Sequence, residues 1–332
     1  MHKVLVTESI HPAAYACLAE KTEAIIAPQN TRECLMEYLA QPGIEALLCR
    51  GASLDKEMIA VARDLRIVSR HGVGVNMVDI DALNERGILL CNSPSGNVNS
   101  VSEHVVRLLL AVSDNLRQLD LACRCGKFSE KGKSLPSQAK EQGFISREVT
   151  GKTLGIIGYG RIGSLTAEKC HNGFGMNILA YDPMLCGTFP LPEGYEWVQS
   201  LDELLQQADY ISLSLHLTKD TYHLIGQREL KLMKPTAMLI NCARGAIVDE
   251  QALAEALQNG TIAGAGLDVL SEEPINIHHP LFACDNAIIT PHAAAFTEEA
   301  AFNLAQQSVM NILQFFDGKI PDTAINRKAL NI

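Results

Sequence analysis

Three polar residues stand just past the ends of apolar, strand-like runs in the second half of the chain: Arg244 after AMLINCA, Glu273 shortly after GAGLDVL, and His292 after AIITP. These residue types can carry out one piece of chemistry together. A histidine titrates near neutrality, so it can take the hydroxyl proton of a secondary alcohol or return one to a carbonyl oxygen. A carboxylate such as Glu273 would orient the ring, while the planar fork of Arg244 can hold a carboxylate of the reacting molecule and polarise the adjacent carbonyl. In an open parallel sheet, ligands bind outside the carboxyl ends of the strands, so residues this far apart in sequence can converge on one crevice.

Oxidising an alcohol also requires a hydride acceptor, and the stretch GIIGYGRIG (155–163) has the form of a site for one. It follows the apolar run Thr153 to Ile157 and opens an amphipathic helix predicted from Arg161 to about Asn172. That is the strand, turn and helix setting the glycine pattern requires. Gly158 permits the tight turn, Gly160 lets the backbone approach a pyrophosphate, and Gly163 allows close packing of helix on sheet. The helix N-terminus adds N–H groups and the positive end of its dipole. Nineteen residues after Gly163, Asp182 follows the strand NILAY. A carboxylate there can accept both ribose hydroxyls of NAD and would repel the extra phosphate of NADP; no Arg or Lys follows nearby. NAD is therefore the expected cofactor.

The elements that must position these residues alternate along the chain. Strand-like runs KVLVT (3–7), EAIIAP (23–28), ALLCR (46–50), RIVSR (66–70) and ILLCN (88–92) are separated by the helix-like HPAAYACLAE, NTRECLMEYLA, LDKEMIAVAR and MVDIDALNERG. This predicts a parallel sheet covered by helices on both faces. From Val101 to about Cys125 one long helix is expected, opened by a Ser cap with Glu103 close behind, and then an exposed polar loop at 129–144. The alternation restarts with TLGIIG, NILAYDP, YISLSL, AMLINCAR, IAGAGLDVL and AIITPH. The expected fold class is thus α/β with two doubly wound parallel-sheet units, the second starting near residue 100. A last amphipathic helix at 297–318 is expected to return to the first unit and leave it discontinuous.

Bulk properties exclude some partners. A chain of 332 residues suffices for two domains, and a formal charge of −10 argues against nucleic acid, whose binding relies on clustered Lys and Arg. No apolar run reaches bilayer-spanning length and MHKVLVTESIHP reads as a strand and a turn, so no membrane association and a cytoplasmic location are expected. The ten cysteines include no C-x-x-C pair, and Cys49, Cys91 and Cys242 lie in or beside apolar runs, where they read as reduced small hydrophobes. Cys242, beside Arg244, reads as an apolar contact rather than a nucleophile. His278-His279 has no carboxylate or cysteine at ligand spacing, so a solvated loop and no metal are expected.

NCARGAIVDEQAL (241–253), AGAGLDVLSEEP (263–274) and ITPHAAAFTEEA (289–300), with GIIGYGRIG and AYDP upstream, closely resemble the signatures of the NAD-dependent D-isomer-specific 2-hydroxyacid dehydrogenases. RHGVGVNMVDIDAL (70–83) and NSPSGNVNSVSEH (92–104) resemble that family's substrate-domain loops. The resemblance implies a Rossmann NAD-binding domain at 100–296 inserted in a discontinuous, flavodoxin-like substrate-binding domain made of 1–99 and 297–332. It implies Arg244, Glu273 and His292 as catalytic residues, and cofactor contacts at Arg161, Ile162, Asp182, Leu215, Cys242 and Asp268 besides the three glycines. It also implies backbone N–H groups around Val73 and Gly74 for the substrate carboxylate, and a homodimer built on the long helix after the first domain. RGAS (50–53) with the GVGV loop is most similar to the phosphoglycerate dehydrogenase branch, which places Arg50 at the far end of the substrate. Two departures border these sites: Asn76-Met77 stands where Asp-Asn is usual, and His216 stands where proline is common. Relatives resembling the C-terminal-binding corepressors keep the fold and use NAD to set an oligomeric state. No extended disordered tail for recruiting partners is evident here.

Overall fold

Each apolar run in the first ninety residues becomes a strand: β1 (Lys3–Val6), β2 (Glu23–Ile26), β3 (Ile44–Cys49), β4 (Ile67–Arg70) and β5 (Leu89–Cys91). They pair in the order β2-β1-β3-β4-β5 with every ladder parallel. Parallel neighbours need crossovers, supplied here by α1 (Pro12–Lys21), α2 (Arg32–Leu39), α3 (Lys56–Val61) and α4 (Ile80–Glu85). Thr31, Asp55 and Asp79 cap three of these helices through side-chain oxygens, and His11 caps α1 through a ring nitrogen. Side chains alternate across a strand, so Val4 and Val6 enter one core and Leu5 the other. Both faces of the sheet are therefore covered.

The computed structural model describes every residue from Met1 to Ile332, in two units: Met1–Val98 with Ala295–Ile332, and Asn99–Ala294. The sequence reading of 101–125 as one helix is corrected. α5 (Val98–Ser113) starts earlier, and α6 (Leu116–Arg124) follows a break at Asn115, which sits in left-handed conformation at φ +50°. The expected loop at 129–144 also contains α7 (Leu135–Glu141), which opens on Ser134 as cap with a proline in its first turn. Gln138 is buried within it and donates to the carbonyls of Glu130 and Lys133.

The second sheet comprises β6 (Thr153–Ile157), β7 (Asn177–Tyr181), β8 (Tyr195–Trp197), β9 (Tyr210–Leu213), β10 (Met238–Asn241), β11 (Gly264–Leu267) and β12 (Ala287–Ile289). Its order is β12-β11-β10-β9-β6-β7-β8, again wholly parallel. The connecting helices are α8 (Arg161–Phe174), α9 (Leu201–Gln207), α10 (Gln227–Leu232) and α11 (Glu250–Gln258). The chain runs outward from β6 to β8, then returns to the other side of β6 at β9 and runs outward to β12. That reversal between β6 and β9 is the switch point at which open α/β sheets bind ligands.

The final helices, α12 (Glu298–Phe316) and α13 (Arg327–Leu330), belong to the first unit. Ala305, Val309, Ile312 and Leu313 of α12 fill the core that holds Val4 and Val6. Its buried polar groups are paired, as burial demands. Ser69 Oγ donates to Ser308 O at 2.9 Å, and Asn311 Nδ2 donates to Asn92 O at 3.0 Å. Asn326, just before α13, takes Leu90 N–H at 2.9 Å and gives to Ile88 O at 3.0 Å. Gly96 marks the closest approach: a Cβ there would lie 2.8 Å from the backbone nitrogen of Leu304. Gly96→Ala is therefore expected to force α12 outward and cost about 1–3 kcal/mol of stability, read as a lowered denaturation midpoint. An unchanged midpoint would show that α12 does not pack there.

Candidate active site

The glycine loop is built by close backbone approach. Gly158 holds φ +91°, and a Cβ on it would lie 2.5 Å from Ser214 O; at Gly163 a Cβ would lie 2.1 Å from Gly158 O. No larger residue fits either place. Gly160 differs, because nothing lies within 4 Å of its Cβ position. α8 begins there with no side-chain cap, so its first-turn N–H groups stand beside open space. Arg161 is exposed and Ile162 half-buried at the start of that helix. This cradle fits a pyrophosphate.

Asp182 directly follows β7 and ties the loop down. Its Oδ2 accepts Tyr159 N–H and its Oδ1 accepts Met184 N–H, both at 3.0 Å. Each oxygen keeps lone-pair capacity for a hydroxyl. The next Lys or Arg along the chain is Lys219. Leu215, half-buried, follows Ser214 at the end of the adjacent β9, where Ser214 N donates to Ile157 O at 2.8 Å.

Because β10, β11 and β12 are parallel neighbours, their carboxyl ends lie along one edge. Asn241 closes β10 and is buried; its Oδ1 accepts Ala243 N–H at 3.0 Å and its Nδ2 donates to Arg244 O at 2.9 Å. That clamp shapes the turn carrying Cys242 and Arg244. Burial, with the nearby Asp268 charge adding, pushes the Cys242 thiol well above its ordinary range, so it remains protonated. Gly245 lets the two strand ends meet: a Cβ there would lie 2.0 Å from the backbone carbon of Leu270.

Asp268 follows β11 and is 1% exposed. Its carboxylate accepts from Thr290 Oγ1 at 2.5 Å, Ala293 N at 2.8 Å and Ala294 N at 2.9 Å, and lies 3.3 Å from His104 Nε2, a residue of α5. Burial alone would raise this carboxyl, but the hydrogen bonds from His104, Thr290 and the two backbone groups outweigh it and hold the group below the usual range. Asp268 O also accepts His292 N–H at 2.7 Å. Held from both sides, His292 adopts φ +53°, a conformation that persists in a non-glycine residue only where its surroundings over-determine it. His292 Nδ1 lies 2.9 and 3.1 Å from the two carboxylate oxygens of Glu273. A carboxylate only accepts, so Nδ1 carries a proton and Nε2 is left for another partner.

The structure thus brings Glu273 and His292 into contact and sets Arg244 on the same sheet edge. Arg50, Val73 and Gly74 lie in the first unit. Arg50 follows β3, and its guanidinium already meets Ser9 O and the Glu8 carboxylate. Val73 and Gly74 lie in the irregular segment after β4, where Asn92 Nδ2 donates to Val73 O at 2.9 Å. One reading is corrected: His279 is not solvated but 10% exposed, with Nε2 3.0 Å from Glu250 Oε2. No group of three or more His, Cys, Asp or Glu side chains is arranged to hold a metal ion. His104, Thr290 and Glu250 were not anticipated from the sequence, since their partners are remote along the chain and their own positions fit plain helix faces and loops.

Residues 106–294 match the family model described as D-isomer specific 2-hydroxyacid dehydrogenase, NAD binding domain. The chain is 38% identical to glyoxylate reductase of Thermococcus gammatolerans, over 99% of this chain and 97% of that protein. It is 36% identical to D-3-phosphoglycerate dehydrogenase of Methanocaldococcus jannaschii, over 98% of this chain but only 60% of that longer protein. Among solved structures, a glyoxylate reductase from Paecilomyes thermophila superposes with a TM-score of 0.84 at 27% identity, covering 98% of this chain and 99% of that one.

The Asp268 network sets a pH dependence. Its carboxyl is depressed in the folded chain, so the stability it contributes is present above the unfolded aspartate value of about 4 and is lost as pH falls through the lower folded value. Asp268→Asn should lower stability by about 2 kcal/mol near neutrality, and the gap to wild type should close on acidification below about pH 4. A gap that stays constant with pH would show that Asp268 is not held as the anion.

Proposed function

We propose that this chain, which belongs to the D-isomer specific 2-hydroxyacid dehydrogenase family, reduces a small unphosphorylated 2-oxoacid of the glyoxylate class with NADH, the reverse oxidation using the same groups. The observation that carries this reading is the His292–Glu273 pair, with Nδ1 engaged at 2.9 Å and Nε2 available. The nicotinamide dinucleotide, when bound, supplies or accepts the hydride at C2. His292 gives its Nε2 proton to the C2 oxygen during reduction and takes it back during oxidation. Glu273 fixes the tautomer and orientation of the ring. Arg244 presents its fork to the substrate carboxylate and polarises the carbonyl beside it.

Gly158, Gly160, Arg161, Ile162 and Gly163 are assigned to the pyrophosphate, Asp182 to the ribose, and Leu215, Cys242 and Asp268 to the nicotinamide end. In the first unit, the N–H groups of Val73 and Gly74 are assigned to the substrate carboxylate and Arg50 to its far end. Glu8 and the Ser9 carbonyl already engage that guanidinium, which disfavours a phosphate dianion and thus a 3-phosphoglycerate-like acid. Similarity to a glyoxylate reductase over the full length of both chains supports the same choice. Leu116, Leu121, Leu135 and Ile145 of the α6–α7 region are each more than half exposed, which supports a homodimer built on that region. Ten free cysteines suit a reducing cytoplasm.

The test is a panel of glyoxylate, hydroxypyruvate, pyruvate and phosphohydroxypyruvate assayed by NADH absorbance. The expected result is a kcat/KM at least about tenfold higher for an unphosphorylated acid; a preference for the phosphorylated one would overturn the substrate assignment. Dinucleotide binding without turnover of any 2-oxoacid would favour the NAD-sensing corepressor reading instead. His292→Ala should lower kcat by about 10²–10⁴-fold.

Cofactor choice is tested separately. With a carboxylate at 182 and no Lys or Arg before Lys219, NADH should be strongly preferred over NADPH, and Asp182→Ala should erode that preference. A wild-type kcat/KM ratio near one would remove Asp182 from this role.

A further inference from the structure

Glu250 opens α11, yet that helix is already capped: Asp249 Oδ1 accepts Ala252 N–H at 3.0 Å. The Glu250 carboxylate turns instead to the segment Ser271–His279. Its Oε1 accepts Ser271 N–H at 2.6 Å and its Oε2 faces His279 Nε2 at 3.0 Å. The Glu250 and His279 side chains are 13% and 10% exposed. His279 Nδ1 accepts Leu281 N–H at 3.4 Å, at the start of a short 3-10 turn, Pro280–Ala283. A ring nitrogen that accepts has no proton, so the proton sits on Nε2 and the neutral ring donates to Glu250. One carboxylate therefore fastens both ends of the segment.

Between those two anchors the chain has neither strand nor helix, and Glu272, Glu273 and Pro274 are exposed. Ile275 alone packs against the core. Glu273 has no ladder to fix it, yet it must stay within hydrogen-bond reach of His292.

We propose that Glu250 is a positioning residue, which holds Glu273 against His292 by tying Ser271 and His279 to the start of α11. This rests on the assignment of Glu273 as the partner of His292 made above. An ordinary first-turn acid would instead stabilise the helix through its dipole and leave turnover alone. Displacing a catalytic group by a fraction of an ångström acts on kcat, whereas ground-state binding is little changed.

The experiment is a double-mutant cycle on the full chain with Glu250→Ala and Glu273→Gln, reading kcat, KM and NADH affinity by fluorescence. Glu250→Ala should lower kcat by about tenfold to a hundredfold, with KM and NADH affinity within about twofold. In the Glu273→Gln background it should cost less than about twofold further, because the group it positions is already disabled. Glu250→Gln keeps the Ser271 bond and loses the acceptor for His279, so an intermediate kcat is expected. If Glu250→Ala does not fold, Glu250→Gln and His279→Gln take its place in the same cycle. Costs that multiply in full across the cycle, or a lowered melting temperature with wild-type kcat, would overturn the proposal. Wild-type turnover by Glu273→Gln would remove the Glu273 assignment itself, and with it the role of Glu250.

Discussion

An ionised carboxylate almost wholly out of solvent is costly unless its charge is answered by directed donors, and Asp268 meets that condition from three parts of the second unit. His104 comes from α5, Thr290 from the end of β12, and the consecutive N–H groups of Ala293 and Ala294 from the turn beyond. Two successive backbone donors aimed at one anion make a small nest, and a nest requires the chain to turn sharply. His292 is the residue that turns. The left-handed conformation that would be strained in an isolated histidine is compensated by bonds on both sides of it. The same negative charge sits near Cys242 and helps keep that thiol protonated, so one buried group both shapes and quietens the site.

The all-parallel sheet explains why such groups can meet. Strands that all point one way deliver the residues after their carboxyl ends to a single edge, so Asn241, Asp268 and Thr290 become neighbours although the chain separates them by helices. Close backbone approach does the rest. At Gly158, Gly163 and Gly245 the nearest atoms to a virtual Cβ belong to other backbone segments, and backbone cannot move aside as a side chain can. The glycines thus mark where two chain segments must touch, whereas Gly160, at the start of α8, has open space over it.

What could be read from the residues follows from how local each signal is. The strands of both sheets are short apolar runs bounded by polar residues, and such runs survive folding unchanged because burial on both faces demands them. The glycine loop and Asp182 were legible for the same reason: turn, strand and helix sit within thirty residues of each other. β8, Tyr195–Trp197, was not, since a three-residue strand with Glu196 at its centre shows no apolar run. The break at Asn115 was hidden because the apolar periodicity continues across it, and only the backbone conformation changes. Ser134 with Pro136 opens α7 inside a stretch whose polar composition otherwise indicates a loop. His104 and Glu250 lie beyond any local signal: each looks like a helix-surface residue until the fold presents a partner more than a hundred residues away in one case and twenty-one in the other.

The carboxyl edge of the first sheet carries an unequal distribution of charge that bears on what it can hold. Arg50, at the end of β3, has a carboxylate beside it in Glu8, and Asn30 also meets that carboxylate. His71, just after β4, is pushed down to about 4 by burial, with Arg50 and Arg70 adding, so it is neutral at physiological pH. Arg70 is the exception. Its guanidinium donates to the carbonyls of Cys49 and His71 and lies 3.7 Å from Met77 Sδ, while Nε is buried without a partner. Carbonyls and a thioether orient a guanidinium but do not neutralise it, so Arg70 keeps its positive charge. The carboxyl edge of the first sheet thus sets one of its arginines beside a carboxylate and holds the other through neutral acceptors.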